Sequence, residues 1–127
     1  MRPVVYDTGA LLAAERRDTR FTTIHRNRVA GRFERALIPV VVLAQAWRGG
    51  PQAAISRILQ DCEVVADTET VGRAAGVVCA RSGTSDVVDA IVVITALAAE
   101  AAVVTSDPED LRKLAAALGK ELDLLVV

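Results

Sequence analysis

Short apolar runs rich in β-branched residues recur along this chain at residues 4–6, 37–42, 63–66, 102–105 and 124–127, with helix-like stretches between them. The runs at 4–6, 37–42 and 102–105, apolar on successive rather than alternate side chains, read as buried strands, the signature of a parallel sheet. Parallel neighbours need a crossover, usually a helix, so strands alternating with helices predict an α/β sandwich with about five parallel strands flanked by helices. The 127 residues hold no repeat, linker or low-complexity segment, which makes residues 1–127 one domain. Aromatics are only 3%, so the core must be built from Ala, Val, Leu and Ile.

Capping signals place the helices. Thr8 is expected to cap a helix running to residue 15, and Asp18 one running to Gly31 as its C′ glycine. Arg20, His25, Arg26, Arg28 and Arg32 would lie on the exposed face of that second helix. The run at 37–42 is read as a strand despite Pro39, which would sit near its end or edge. A helical turn over 43–47 then precedes Gly49-Gly50-Pro51, with Pro51 opening a helix to residue 60. Further helices are expected over 68–81, from Ser85 or Asp86 to about 99, and from Asp107-Pro108 to Gly119.

Residues 4–6 follow the N-terminal Met too closely for a signal-peptide apolar region, and the apolar stretch 90–104 is broken by Glu100. The expectation is a soluble, cytoplasmic protein. Cys62 and Cys79 are far apart in sequence, with no CxxC and a single histidine; this argues against zinc and for two reduced core thiols. The net charge of −1 conceals a division. Residues 1–60 carry ten arginines against four acids, a net +6, and residues 61–127 carry five basic residues against twelve acids, a net −7. One half suits phosphate and the other a cation; two solvated helix faces would give the same count.

In a parallel sheet, ligands bind beyond the carboxyl ends of the strands. Asp7 ends the first run and Asp107 lies just past the fourth; Asp89, in the apolar helix before that run, has Asp86 three residues earlier on nearly the same face. Carboxylates crowded at one rim stay ionised only around positive charge. An all-oxygen donor set points to a hard cation, Mg²⁺ or Mn²⁺. The chemistry this implies is attack of metal-activated water on a phosphodiester. His25 has no evident triad context. Plainer readings exist: Asp107 and Asp7 could serve a cap and a turn, and Asp89 could be a solvated first-turn acid favoured by the helix dipole. A charge one turn into Val87-Val88-Asp89-Ala90-Ile91 is nevertheless costly to bury without a partner.

These segments are similar to those of the PIN-domain ribonucleases, particularly the VapC-type toxins of bacterial toxin–antitoxin pairs. Val4-Val5-Tyr6-Asp7-Thr8-Gly9 resembles the family's strand followed by DTN or DSS, Asp86-Val87-Val88-Asp89-Ala90-Ile91 its DAxIAA helix, and Val103-Val104-Thr105-Ser106-Asp107 its LVTxDxDF segment. The resemblance implies a PIN-like three-layer sandwich and an Mg²⁺- or Mn²⁺-dependent endoribonuclease. It also implies a VapB-like antitoxin and assembly as a homodimer or toxin–antitoxin hetero-oligomer. Asp7, Asp89 and Asp107 match three of the family's four acids and would be both catalytic and metal-binding. Where the family carries Glu, this chain has Gln45, and Gly9 replaces a polar residue. Gln45, Asp86, Thr105 and Asp110 are expected to stand behind the ligands. Arg16, Arg17, Arg20, Arg26 and Arg28 are expected to bind RNA near the acidic mouth, or the antitoxin. The competing expectation is a catalytically weakened RNA- or protein-binding module that lost its fourth acid. A receiver-like phosphotransfer domain would need a lysine at the end of its last strand, where this chain has none.

Overall fold

The computed structural model describes residues 2–127. Their elements alternate along the chain as β1 (Val4–Tyr6), α1 (Thr8–Glu15), α2 (Thr19–Ala30), β2 (Ala36–Pro39), α3 (Val40–Ala46), α4 (Ala53–Leu59), β3 (Cys62–Val65), α5 (Glu69–Ser82), α6 (Val87–Ala99), β4 (Ala102–Thr105), α7 (Pro108–Ala117) and β5 (Leu124–Val126). All five strands are parallel, in the order β3-β2-β1-β4-β5. Helices α1, α2 and α4 pack together on one face, and α5, α6 and α7 on the other, while α3 touches both α1 and α6. This is the three-layer α/β sandwich that the run-and-helix alternation predicts.

The centre of the sheet is the most deeply buried part. Every residue of β1 and β4 is buried, and the ladder pairs Val4 with Ala102, Val5 with Val103 and Tyr6 with Val104. That register carries one residue further and sets Asp7 beside Thr105 at the carboxyl end. The chain leaves β1 toward β2 on one side and returns to β4 on the other, so strand order reverses between them. A crevice opens at such a switch point.

Several boundaries differ from expectation. Valine content extends the second run to residue 42, but β2 stops at Pro39, which has no N–H for a further ladder bond. Val40 to Ala46 wind into α3 instead, with Pro39 at the N-cap position. Pro51 does not open α4; Gln52 is its N-cap, and the Gln52 side chain ties the preceding loop by accepting from Arg48 N at 2.6 Å and donating to Ala46 O at 2.9 Å. The cap of α1 is Asp7, not Thr8, with Oδ1 accepting from Ala10 N at 2.9 Å. Gly31 keeps a right-handed conformation, and the left-handed residue after α2 is Arg32 at φ 54°. A side chain at Gly31 would strike the Phe33 ring. Asp18, Thr68 and Asp86 cap their helices through Phe21 N, Val71 N and Asp89 N. Cys62 and Cys79 are both buried and free.

Among the described residues, no single helix is long and apolar enough to cross a membrane.

Candidate metal centre at the carboxyl end of the sheet

Four elements bring acids to one rim. Asp7 follows β1 and is 4% exposed, held by its cap bond to Ala10 N. Asp89 sits in the first turn of α6, half-buried, where Asp86 Oδ1 accepts its backbone N–H at 3.1 Å. Asp107 follows β4 and occupies the N-cap position of α7 with Pro108 behind it, yet its side chain makes no capping bond. Its carboxylate is therefore available to a ligand. Asp110 lies one turn into α7.

Carboxylate oxygens of Asp89, Asp107 and Asp110 all lie within 4.8 Å of one another. Oxygens on opposite sides of one Mg²⁺ are ~4 Å apart, so a small closure would let the three share one ion. Asp7 stands outside that tight trio but within its electrostatic reach. Burial raises its pKa, the Thr105 hydroxyl and the Ala10 N–H lower it, and Asp107 raises it further. Burial pushes Asp89 up to about 7, reinforced by Asp86, then by Asp7 and Asp107. Asp107 is raised chiefly by its hydrogen bond with Asp110. Burial and neighbouring carboxylates together resist ionisation here, and a bound cation would offset both.

Thr105 ties two of the acids together. Fully buried, it accepts the Asp107 N–H at 2.9 Å while its hydroxyl favours the ionised form of Asp7. Gln45, the neutral residue of α3, accepts a bond from the Thr8 hydroxyl at 2.5 Å, which fixes its amide next to the Asp7 turn. Gly9 makes room for Ser106: a Cβ there would stand 2.1 Å from Ser106 Oγ. The loop after β4 thus closes against the first turn of α1, and a serine fills the space before Gly9. Sequence reading missed Ser106, because nothing in the local pattern says that positions 9 and 106 touch. Asp110, expected behind the ligands, has a carboxylate oxygen within 4.8 Å of those of Asp89 and Asp107, the same limit that holds between those two.

Arg28 lies away from the acidic mouth. Arg28 donates to Arg2 O at 3.3 Å and Glu34 O at 3.1 Å and lies 5.6 Å from the Phe33 ring centre. Arg2 precedes β1 and Glu34 precedes β2, so this guanidinium is at the amino end of the sheet, opposite the acids. Arg16 and Arg17 follow α1, which starts at the acidic rim and runs away from it; they are exposed, as are Arg20 and Arg26. His25 is not on the exposed face. Its Nδ1 bonds the buried Tyr6 hydroxyl at 2.8 Å and its Nε2 bonds Asp61 Oδ2 at 3.0 Å, while its ring stacks on Phe21. A Tyr6–His25–Asp61 hydrogen-bond chain thus links β1, α2 and the turn before β3.

The family described as PIN domain matches residues 4–117. No curated protein matches the chain. Among solved structures, the chain is similar to PAE2754 from Pyrobaculum aerophilum at 18% identity, with a TM-score of 0.63, over 97% of this chain and 83% of that one. At that identity the likeness speaks for the fold.

Proposed function

This chain belongs to the PIN domain family, and from that premise we propose that it is a divalent-metal-dependent endoribonuclease, the cytoplasmic toxin of a VapC-type toxin–antitoxin pair. PIN domains are generally metal-dependent nucleases, and the acidic cluster here has the donor chemistry of that activity. The observation that carries the reading is the meeting of Asp89, Asp107 and Asp110 beside buried Asp7, from segments up to about a hundred residues apart.

In this reading Asp7, Asp89 and Asp107 are the catalytic acids, and Asp110 joins Asp89 and Asp107 in holding Mg²⁺ or Mn²⁺. Bound there, such an ion would neutralise a phosphoryl oxygen and lower the pKa of a water molecule. The chain's own part is to orient. Thr105 and the Ala10 N–H fix the Asp7 carboxylate. Asp86 anchors the first turn of α6 and so the direction of Asp89. Pro108 starts α7 without using Asp107 as its side-chain cap. A VapB-like antitoxin and a second copy of the chain are the partners proposed, and exposed Leu12, Val40 and Trp47 on α1 and around α3 offer apolar surface of the kind such interfaces use.

The test is incubation of purified protein with total tRNA and rRNA, in Mg²⁺ or EDTA, beside Asp89→Asn. Cleavage that needs metal and vanishes in the variant is expected; RNA left intact by the wild type refutes the activity. A second reading rests on Gln45, whose amide is bonded to Thr8 where a carboxylate would strengthen cation binding. It makes the chain a weakened RNA- or protein-binding module, and metal-dependent cleavage abolished by Asp7→Asn would eliminate it.

A further inference from the structure

We propose that Lys113 seats an RNA phosphate next to the cleaved bond, in the cleft between the end of α5, the start of α6 and α7. The proposal rests on the nuclease reading above and adds to it the residue that holds the substrate strand. A cavity of about 110 Å³ opens there, lined by Ser82, Thr84, Asp86, Asp89, Asp110 and Lys113 among others. It shares Asp89 and Asp110 with the acidic trio, so it extends the same site.

Electrostatics poses the problem that Lys113 answers. Five acids (Asp7, Asp86, Asp89, Asp107 and Asp110) gather at this rim, and one divalent ion leaves a net −3 when all are ionised. An approaching phosphate is repelled by each of these carboxylates. Arg28 offers no relief, because it is bonded to backbone carbonyls at the far end of the sheet. Lys113 is the one basic side chain lining the cleft. It is exposed and, among the described residues, forms no ion pair, although Asp110 precedes it by three residues on the same helix. Its ammonium is therefore free, and a compact point charge on a flexible stem suits a single phosphate.

The other walls agree. Ser82 spends its hydroxyl proton on Val78 O at 2.8 Å. Thr84 Oγ1 instead accepts from Asp86 N at 3.1 Å, which keeps its own proton for a ligand oxygen. A lysine and one hydroxyl donor, facing a space of roughly three to four water volumes, match a phosphate group. A pocket that encloses a whole small molecule runs to ~300 Å³ or more. The contact reads the backbone and not the base, so it is indifferent to sequence.

The experiment compares wild type with Lys113→Gln, Lys113→Arg and, as a control at the other end of the sheet, Lys120→Gln. A labelled single-stranded oligoribonucleotide is cleaved in Mn²⁺ over a range of KCl, its binding is followed by anisotropy in Ca²⁺, and Mn²⁺ binding is read by paramagnetic resonance. For Lys113→Gln, KM and the RNA Kd are expected to rise about 2–5-fold, the scale of one exposed charge contact. The slope of log Kd against log salt should shrink by about 0.7, the value for one single-strand phosphate. Arginine should restore most of the affinity, kcat and Lys120→Gln should stay near wild type, and Mn²⁺ binding by Lys113→Gln should tighten by no more than about 2–5-fold, the effect of one charge removed beside the acids. Unchanged KM, Kd and salt slope overturn the proposal. So does tighter Mn²⁺ binding at unchanged RNA affinity, since Lys113 would then merely temper its acidic neighbours. If the wild type cleaves nothing, the nuclease reading fails by itself, and the anisotropy series still decides whether Lys113 holds RNA.

Discussion

Tyr6 and Asp7 are consecutive residues whose side chains belong to opposite ends of the molecule's electrostatics. Toward the amino end, polar groups are spent on one another: Tyr6 bonds His25, His25 bonds Asp61, Arg28 bonds two backbone carbonyls, and Arg35 bonds Gln60 O. At the carboxyl end, Asp89, Asp107 and Asp110 cluster beside Asp7, the pKa values of Asp7, Asp89 and Asp107 are raised, and the trio holds no basic partner. One sheet holds both arrangements because parallel strands present all their carboxyl ends to the same rim. Satisfied charge at one end contributes to stability, and unsatisfied charge at the other waits for a ligand. Substitutions at the two ends should therefore have effects of opposite kind.

The largest contrast is expected at Asp89. Asp89→Asn should lower metal-dependent cleavage by more than the ~10–100-fold that a residue behind a metal ligand typically costs. The same change should raise the melting temperature of the metal-free protein, because it removes one repelling carboxylate from a half-buried site. A loss of activity accompanied by lower stability would place Asp89 with the structural residues of the amino end and dissolve the contrast.

The pH profile is the next test. In the fold Asp89 titrates at about 7, pushed up by burial and then by Asp86, against about 3.9 in an unfolded chain. A raised carboxyl binds its proton more tightly in the native state, so its contribution is fully present below about pH 4 and is lost as pH climbs through about 7. In EDTA the wild type should thus lose stability across this window, Asp89→Asn should lose less, and Mg²⁺ should restore the neutral side. Parallel stability curves for wild type and variant, followed by thermal melts at each pH, would show that the acids do not feel one another.

The central strands and the rim were legible because burial on both faces writes itself into the chain as runs such as Val4-Val5-Tyr6 and Ala102-Val103-Val104, whereas the edge strands β3 and β5 are largely exposed and show only in their composition. Asp7 and Asp107 were visible for the same reason: each lies just beyond such a run, where a parallel sheet binds ligands. Pro39 shows the limit. Val40-Val41-Val42 has strand composition, yet the missing N–H of the proline and packing between α1 and α6 make it helical. Contacts across long separations were not legible. Nothing near position 25 announces Tyr6 or Asp61, nothing near Gly9 announces Ser106, and the arginines of 16–35 gave a charge count without a direction. Asp110 shares the oxygen trio only because α7 starts at Pro108 and brings its first turn back over α6.

A smaller effect is expected at the amino end. Tyr6→Phe removes the hydroxyl that His25 Nδ1 meets and leaves that nitrogen shielded beneath Phe21. The cost should be about 1–3 kcal/mol of stability, that of an unmet buried hydrogen-bonding group. Denaturant unfolding measures it, and cleavage per folded molecule should stay within about twofold, since the fold-positioned acids are untouched. A catalytic defect larger than the stability loss would tie the Tyr6–His25–Asp61 chain to the rim.

The smallest effect sharpens the boundary of the acidic end itself. Gln45 is held at the Asp7 turn by Thr8, so Gln45→Glu adds a carboxylate beside the cluster without rebuilding the loop; Thr8 can donate to the new oxygen as it does to the amide. Added negative charge near a cation site should tighten Mg²⁺ binding by about 2–5-fold, the yield of one partly exposed charge contact. It should also depress the metal-free melting temperature, because a further acid joins the repelling set. Isothermal titration with Mg²⁺ measures the first effect and a melt in EDTA the second. Tighter binding with lower metal-free stability makes position 45 part of the electrostatic unit formed by Asp7, Asp89 and Asp107. Unchanged affinity places it outside, and the amide would then serve only to anchor α3 to the first turn of α1.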